Sequence, residues 1–319
     1  MRPASPRLTA KARRVVLVGL GNISPAHLRA LEGIDPVAAV VGVDPRAVAA
    51  TFRGAPLEVH ADLADALAGV ADLVIVATPT ASHAAVVAAV REVDPDVAIL
   101  LEKPAADRAP DAERVLATPG VEVILHSAFA PEVLWASRLH DPGKAGPGDV
   151  VSAEALFGNP YAQDEPERAA SLANSWLDSG INALSVIGRF AIPTGVTSFR
   201  EFPDRASTFE ARLGLGGDDP RRAATILTTW QVADYSQWVR LRFAGGAELV
   251  LDDMAGTATL LEEGAVAAMY TRDAGVARLT QHYANFYADY FGERRFQYPA
   301  GAARELHALL FAALDRLGG

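Results

Sequence analysis

Arg13-Arg14-Val15-Val16-Leu17-Val18-Gly19-Leu20-Gly21-Asn22-Ile23-Ser24-Pro25-Ala26-His27-Leu28 carries the strongest architectural signal in the chain. The apolar run from Val15 to Val18 has the length of a buried parallel strand. It breaks at Gly19-Leu20-Gly21, and Ser24-Pro25 then opens a pattern with Leu28 and Leu31 at helical spacing. Strand, glycine turn and helix in that order make a dinucleotide-binding fingerprint. Gly19 permits the tight turn, Gly21 lets backbone approach a pyrophosphate, and the helix N-terminus offers N–H groups to phosphates. Ser24 stands where a third glycine is usual and is small enough for close helix–strand packing. Gly19, Gly21, Asn22 and Ile23 are the first candidate cofactor residues.

Working outward, a second apolar run, Val37 to Val43, ends in Asp44, about 20 residues beyond the glycines. A carboxylate there accepts hydrogen bonds from ribose hydroxyls and repels a 2′-phosphate, which predicts NAD as the cofactor. Arg46 keeps NADP open, because a guanidinium can pair with that phosphate. The rival reading is an ordinary strand–turn–helix with a solvated Asp44.

The chain has 319 residues, 50% of them hydrophobic, enough for a large core divided between two domains. Its formal net charge is −10 with no basic run beyond the start, a balance that argues against nucleic acid and anionic membranes as partners. No apolar stretch approaches the roughly 18 residues of a membrane span. Arg13-Arg14 before an apolar segment has the look of a twin-arginine signal, but that segment stops at Gly19 with no cleavage pattern, so a first strand is the better reading. Residues 1–12 read as a short disordered tail. The chain has no cysteine, which excludes disulfides and thiol catalysis, and a cytoplasmic location is expected from the cofactor.

Up to about residue 126, apolar strands alternate with alanine-rich helices, the mark of βαβ units. Strands are predicted at Val15–Val18, Val37–Val43, Leu73–Ala77, Ala98–Leu101 and Val121–Leu125, and helices at Pro25–Leu31, Leu63–Leu67, His83–Val90 and Asp111–Leu116. Asp44-Pro45, Thr78-Pro79, Glu102-Lys103-Pro104 and His126-Ser127 follow the strands, at the carboxyl ends where open α/β sheets bind ligands. Asp141 to Gly148 reads as a loop without a phosphate-binding signature. Beyond it, Thr225–Val232, Trp238–Phe243, Ala247–Leu251, Thr257–Leu261 and Val266–Tyr270 read as antiparallel strands. Hairpin signals stand at Gly214-Leu215-Gly216-Gly217, Gly245-Gly246 and Glu263-Gly264, and a last amphipathic helix covers roughly Ala302–Leu317. The expected fold class is α/β: a doubly wound parallel Rossmann sheet in residues 1–127, then an α+β substrate-binding and oligomerisation domain with an open antiparallel sheet in 128–319. One face of that second sheet lacks helices to cover it. Stacking it on a second copy predicts a homodimer or homotetramer.

The glycine turn, Thr78-Pro79 with His83, Glu102-Lys103-Pro104 and Asp178-Ser179-Gly180-Ile181-Asn182 together resemble the family of glucose–fructose oxidoreductase and inositol dehydrogenase (Gfo/Idh/MocA), over nearly the whole chain after residue 13. The resemblance implies a Rossmann domain with an open-faced sheet domain. It also implies NAD(P)-dependent hydride transfer at a carbinol carbon of a sugar or cyclitol, with Thr78, Pro79, His83, Glu102 and Lys103 beside the cofactor. Asn182 stands where the family usually has His. The run Asp178 to Ser185 is similar to the aldose (galactose or arabinose) 1-dehydrogenase branch, as is Leu125-His126-Ser127-Ala128-Phe129-Ala130-Pro131, which implies oxidation at C1 to a lactone. Phe157-Gly158-Asn159-Pro160-Tyr161 departs from that branch, which carries charged sugar-binding residues there. Action at another ring carbon, or a cofactor-binding regulator without catalysis, are the alternatives.

Lys103 ends an apolar strand, where burial and a nicotinamide cation both disfavour its charge, so it is read as a proton-transfer group or hydrogen-bond donor; the rival is a snorkelling lysine paired with Glu102. Asp178 and Asn182 are four apart, on one helical face. They are expected to meet a polyhydroxylated ligand, against helix capping and a solvated turn. An amide cannot accept a proton at neutral pH, so Asn182 would orient a hydroxyl while Lys103 or Asp178 removes its proton. His126, Asn159 and Trp176 complete the candidate substrate residues, with structural roles as rivals for His126 and Trp176. His27, His60, His140, His282 and His307 show no metal-ligand spacing, and no metal is expected.

Overall fold

The computed structural model describes residues 13–46, 49–140, 147–216, 221–298 and 300–317. The expected tail 1–12, most of the Asp141–Gly148 loop and Gly217 of one hairpin signal lie outside these residues.

The first half alternates β1 (Arg13–Val18), α1 (Ser24–Glu32), β2 (Val37–Val43), β3 (Glu58–His60), α2 (Leu63–Leu67), β4 (Leu73–Val76), α3 (His83–Val93), β5 (Ala98–Glu102), α4 (Ala109–Ala117) and β6 (Val121–Ile124). Among the described residues these strands form one parallel sheet in the order β3-β2-β1-β4-β5-β6, a doubly wound Rossmann arrangement. Strand β3 escapes sequence reading because it is three residues long and only partly buried. Side chains alternate between faces. Val15 and Leu17 pack with Leu28 and Leu31 of α1, while Val16 and Val18 pack with Ala66 of α2 and Val87 and Val90 of α3.

Register sets the rim. Val18 lies opposite both Val43 and Val76, and Val76 opposite Leu101, so Gly19, Asp44, Thr78 and Lys103 emerge along one edge. Gly19 has φ +94°, and a Cβ there would sit 2.6 Å from the Ala77 carbonyl oxygen, so no other residue fits the turn.

The second half contains α5 (Pro131–Leu139), β7 (Val150–Gly158), α6 (Tyr161–Asp164), α7 (Pro166–Ser171), and a π-helical turn Trp176–Gly180 that runs into α8 (Ile181–Ile187). There follow β8 (Pro193–Glu201), β9 (Phe209–Leu215), β10 (Ala223–Thr229), β11 (Ser236–Phe243), β12 (Glu248–Asp252), β13 (Thr257–Glu262), β14 (Ala265–Thr271), α9 (Arg278–Phe291) and α10 (Ala300–Asp315). The eight strands order as β8-β9-β10-β7-β11-β12-β13-β14, antiparallel except for β10 beside β7. Strand β8 was not legible because its register slips on both sides of Val196, which breaks the alternation.

One face of this sheet buries Ala153, Ala155, Phe157, Val239, Leu241 and Leu251. The opposite face carries ion pairs: Arg240 and Arg242 each lie 3.2 Å from Glu248 and within 4.0 Å of Glu154. Helix α9 does not pack on its own sheet. Tyr283, Phe286, Tyr287 and Tyr290 join Leu28 and Leu31 of α1 on the first sheet. No helix of the described residues is long and apolar enough to cross a membrane.

Candidate active site

The glycine turn opens on a groove. A cavity of about 630 Å³ lies beside Leu20, Gly21, Asn22 and Pro25, with Arg46 at its edge. A Cβ placed on Gly21 would meet nothing within 4 Å, so backbone there is open to a close-lying group. Asp44 is 3% exposed at the end of β2. Its Oδ2 accepts the Leu20 N–H at 3.0 Å and its Oδ1 the Arg46 N–H at 2.9 Å, while the Arg46 guanidinium donates to both oxygens at 3.1 Å. Arg46 holds the Asp44 carboxyl down at about 2 against the effect of burial, so it is ionised at neutral pH. A buried anionic acceptor beside an open glycine turn fits the ribose and pyrophosphate of a dinucleotide.

Two other rim loops are tied together by His83. Its ring nitrogens face the carbonyl oxygens of Thr78 at 2.9 Å and Pro104 at 3.0 Å, and burial depresses its basicity. The Lys103–Pro104 peptide is cis. Ser82 Oγ donates to Thr78 Oγ1 at 2.9 Å, which leaves Thr78 and Pro79 at the rim and the His83 ring beneath it.

Lys103 crosses from the first sheet to the second half of the chain. Its Nζ donates to Asp178 Oδ1 at 2.9 Å and to the Asp178 carbonyl at 2.8 Å, with both side chains about nine-tenths buried. The structure therefore brings together two candidates that stand 75 residues apart. Asp178 does not cap a helix: it lies inside the π turn, and its N–H donates to the Asn174 carbonyl. Such turns are enriched at functional sites. The other carboxylate oxygen, Oδ2, faces Asn159 Nδ2 at 3.4 Å and Ser179 Oγ at 3.3 Å. One turn on, Asn182 is 7% exposed and its Oδ1 is buried without a hydrogen-bond partner among the described residues. An unpaired buried acceptor next to a Lys–Asp pair is a place for a ligand hydroxyl.

The comparisons with known proteins bear on this geometry. The model of the oxidoreductase family with the NAD-binding Rossmann fold matches residues 13–119. Over residues 13–119 the chain is similar to the Gfo/Idh/MocA oxidoreductases. Solved structures share the fold over almost the entire chain. The UDP-N-acetylglucosamine 3-dehydrogenase GnnA of Acidithiobacillus ferrooxidans has 18% identity, covers 96% of this chain and 97% of its own, and superposes with a TM-score of 0.73. An inositol dehydrogenase homolog from Azotobacter vinelandii, complexed with NADH and myo-inositol, has 16% identity, coverage of 97% and 96%, and a TM-score of 0.75. GenD2 from gentamicin A biosynthesis, in complex with NAD, has 18% identity, coverage of 100% and 97%, and a TM-score of 0.73. No curated protein sequence matches the chain.

Behind the groove lies a buried polar network that no sequence motif marks. Glu102 is 6% exposed. It accepts from Tyr283 at 2.7 Å and from the Lys103 N–H at 3.2 Å, and its Oε1 lies 3.1 Å from His27 Nε2. His27 Nδ1 in turn meets the Tyr287 hydroxyl at 2.6 Å. Burial alone would raise the Glu102 carboxyl; the His27 ring holds it down at about 2. Glu102 is thus engaged by the protein on both sides of its carboxylate, one residue from Lys103. His126 is buried, stacked on His282 at 5.7 Å, and desolvation pushes it well below its ordinary range, so it stands neutral. Asn159 is 2% exposed and fully occupied: Nδ2 donates to Ser179 Oγ at 3.0 Å and Oδ1 accepts from Gln237 at 2.7 Å. Trp176 is placed in the core. It is 0% exposed, its Nε1 donates to the Leu310 carbonyl at 2.8 Å, and its ring packs against Phe199 at 5.0 Å, leaving no surface to offer a sugar.

Glu132, Asp253 and His282 also converge, with ligand-type atoms within 4.8 Å of one another. Arg278 and Arg272 both pair with Asp253, and two guanidiniums there disfavour a dication. A proton is the better neutraliser. Burial, with the Asp253 charge beside it, raises the Glu132 carboxyl to about 8, so it is protonated at neutral pH. Because the folded value lies above the ordinary 4.5, this stabilisation is full below about pH 4.5 and is lost as pH rises through about 8, at up to about 1.4 kcal/mol per pH unit. Glu132→Gln keeps the donor at all pH. The melting temperature of the variant relative to wild type is expected to rise between about pH 5 and about pH 9, read by calorimetry at each pH.

Proposed function

We propose that the chain is an NAD-dependent dehydrogenase of a neutral sugar or cyclitol, with C1 of an aldose as the carbinol carbon and an aldonolactone as the product. The observation that carries this reading is the Lys103–Asp178 pair at 2.9 Å on the rim that Gly19 and Asp44 share. The relatives' printed names, an inositol dehydrogenase homolog with NADH and myo-inositol and a UDP-N-acetylglucosamine 3-dehydrogenase, agree with a polyhydroxylated substrate. The C1 assignment rests on the run from Asp178 to Asn182 and its resemblance to aldose 1-dehydrogenases.

The residues divide the work. Gly19 makes the turn, Gly21 with Asn22 and Ile23 leaves room for the pyrophosphate, and Asp44 binds the adenosine ribose, with Arg46 alongside. Thr78, Pro79 and His83 shape the rim where the nicotinamide would lie. Bound NAD supplies the hydride acceptor. Lys103 Nζ and Asp178 Oδ1 receive the substrate hydroxyl between them, and the proton of that hydroxyl passes to this pair as the carbon loses hydride. Asn182 Oδ1 accepts a hydrogen bond from a neighbouring hydroxyl and fixes the ring, since the amide cannot take the proton. Asn159 sets Asp178 from behind, and neutral His126 lines the floor beside Lys103.

NAD reduction followed by absorbance over a panel of galactose, arabinose, glucose, myo-inositol and UDP-N-acetylglucosamine tests the reading. Turnover with aldoses, and lactone in the product, is the expected result. Turnover with myo-inositol alone moves the reaction to another ring carbon, and tight NAD binding without turnover on any substrate favours a regulator. A homodimer through the face that carries Glu154, Arg240, Arg242 and Glu248 belongs to the same reading; a monomer in light scattering overturns it.

A further inference from the structure

We propose that Arg168, presented to the cofactor groove by α7, is the guanidinium that grips the pyrophosphate of the dinucleotide, and that Glu165 is the anion it releases to do so. This rests on the NAD reading above and adds a residue from the second half of the chain to the cofactor site.

The groove beside Gly21 and Asn22 is lined on its far side by Glu165 and Arg168. Nothing in the glycine fingerprint points to these residues; tertiary structure alone brings them there. Arg168 Nη1 donates to Glu165 Oε2 at 2.9 Å, and the guanidinium carbon lies 4.4 Å from the centre of the Tyr161 ring. Tyr235 donates to the second oxygen, Glu165 Oε1, at 2.7 Å. Tyr161 is thus a platform that keeps the planar fork at a fixed height, and Tyr235 anchors the carboxylate independently of the arginine.

Charge decides what the groove can take. The first turn of α1 directs N–H groups and the positive end of its dipole at the space next to Gly21. Glu165 facing the same space opposes an anion. A diphosphate entering the groove competes with Glu165 for Arg168, and the guanidinium fork matches phosphate oxygens in a bidentate contact. The Arg168 and Glu165 side chains are both 35% exposed, so the exchange needs rotation of surface side chains and no opening of the core. Arg46 is the other guanidinium at this groove, but it is committed to Asp44 through its backbone and side chain. Of the two, Arg168 is the one whose partner belongs to no ribose site.

The same segment reaches the reacting groups. The Tyr161 hydroxyl is pushed well above its ordinary range by burial and by the charge of Asp178. The ring under Arg168 therefore lies within electrostatic range of the proton acceptor.

Calorimetric titration of the full chain with NAD, ADP-ribose and adenosine tests this. Arg168→Gln is expected to weaken NAD and ADP-ribose about tenfold and leave adenosine unchanged. Glu165→Gln is expected to tighten NAD and ADP-ribose a few-fold, since it removes both the competitor and the repulsion. Opposite signs in the two variants support the exchange. Unchanged ADP-ribose affinity in Arg168→Gln, or weakening in both variants alike, overturns it. If the wild-type chain binds neither NAD nor ADP-ribose, the cofactor reading itself has failed; if it binds both and Arg168→Gln is silent, this proposal alone has failed.

Discussion

Lys103→Met and Asp178→Ala are each expected to lower turnover by roughly two orders of magnitude or more, about 3 kcal/mol of barrier, with Asp178→Ala still binding NAD within a few-fold of wild type. The geometry makes the two losses one loss. Nζ and Oδ1 are 2.9 Å apart with about a tenth of each side chain exposed, so removing either partner strands the other in a poorly solvated place. The double variant should be little worse than the worse single one, as for groups that act as a unit. Steady-state and single-turnover kinetics with the best substrate of the panel measure this. Additive losses, or activity within a few-fold of wild type in both single variants, would sink the assignment of proton transfer to this pair.

Asp44→Ser is expected to exchange the cofactor preference. The carboxylate that repels a 2′-phosphate and binds ribose hydroxyls disappears, and the Arg46 guanidinium, now held by Asp44 at 3.1 Å through two donors, is released to the phosphate. Loss of one charge-assisted hydrogen bond of about 1.5–3 kcal/mol implies NAD affinity lower by roughly 10-fold to 150-fold. NADP affinity should rise at the same time, so the ratio moves further than either term alone. Titration of both cofactors reads the exchange, and circular dichroism checks that the Leu20 turn, which loses its acceptor, still folds. Equal weakening of the two cofactors would mean that Asp44 holds the turn and does not choose the nucleotide.

Much of this was written locally in the chain. The strand Val15–Val18, the turn at Gly19 and the carboxylate Asp44 lie within one βαβ unit, and hydrophobic period with glycine placement suffices to find them. Lys103 and Asp178 were legible as motifs, but only the fold brings them to 2.9 Å. Tyr283 on Glu102 stands 181 residues away in sequence, and His27 with Tyr287 stands 260 away; no periodicity encodes such partners. The helical spacing of Tyr283, Phe286 and Tyr287 fits a core face, but spacing does not say which sheet that face covers. Trp176 shows the opposite difficulty: an aromatic before Asp178 has the same spacing whether it walls a pocket or fills the core, and only its bond to Leu310 decides. Arg168 left no trace in any motif.

Helix α9 has one further consequence. Four of its aromatic side chains complete the outer layer of the nucleotide-binding sheet, and burying each large apolar side chain stabilises by about 1.5–3 kcal/mol. A fragment that stops near residue 127 would present those unfilled sockets to water, so the cofactor module is not an autonomous piece that can be cut out or transplanted. Residues 278–291 must therefore be in place before the outer layer of the first sheet is complete.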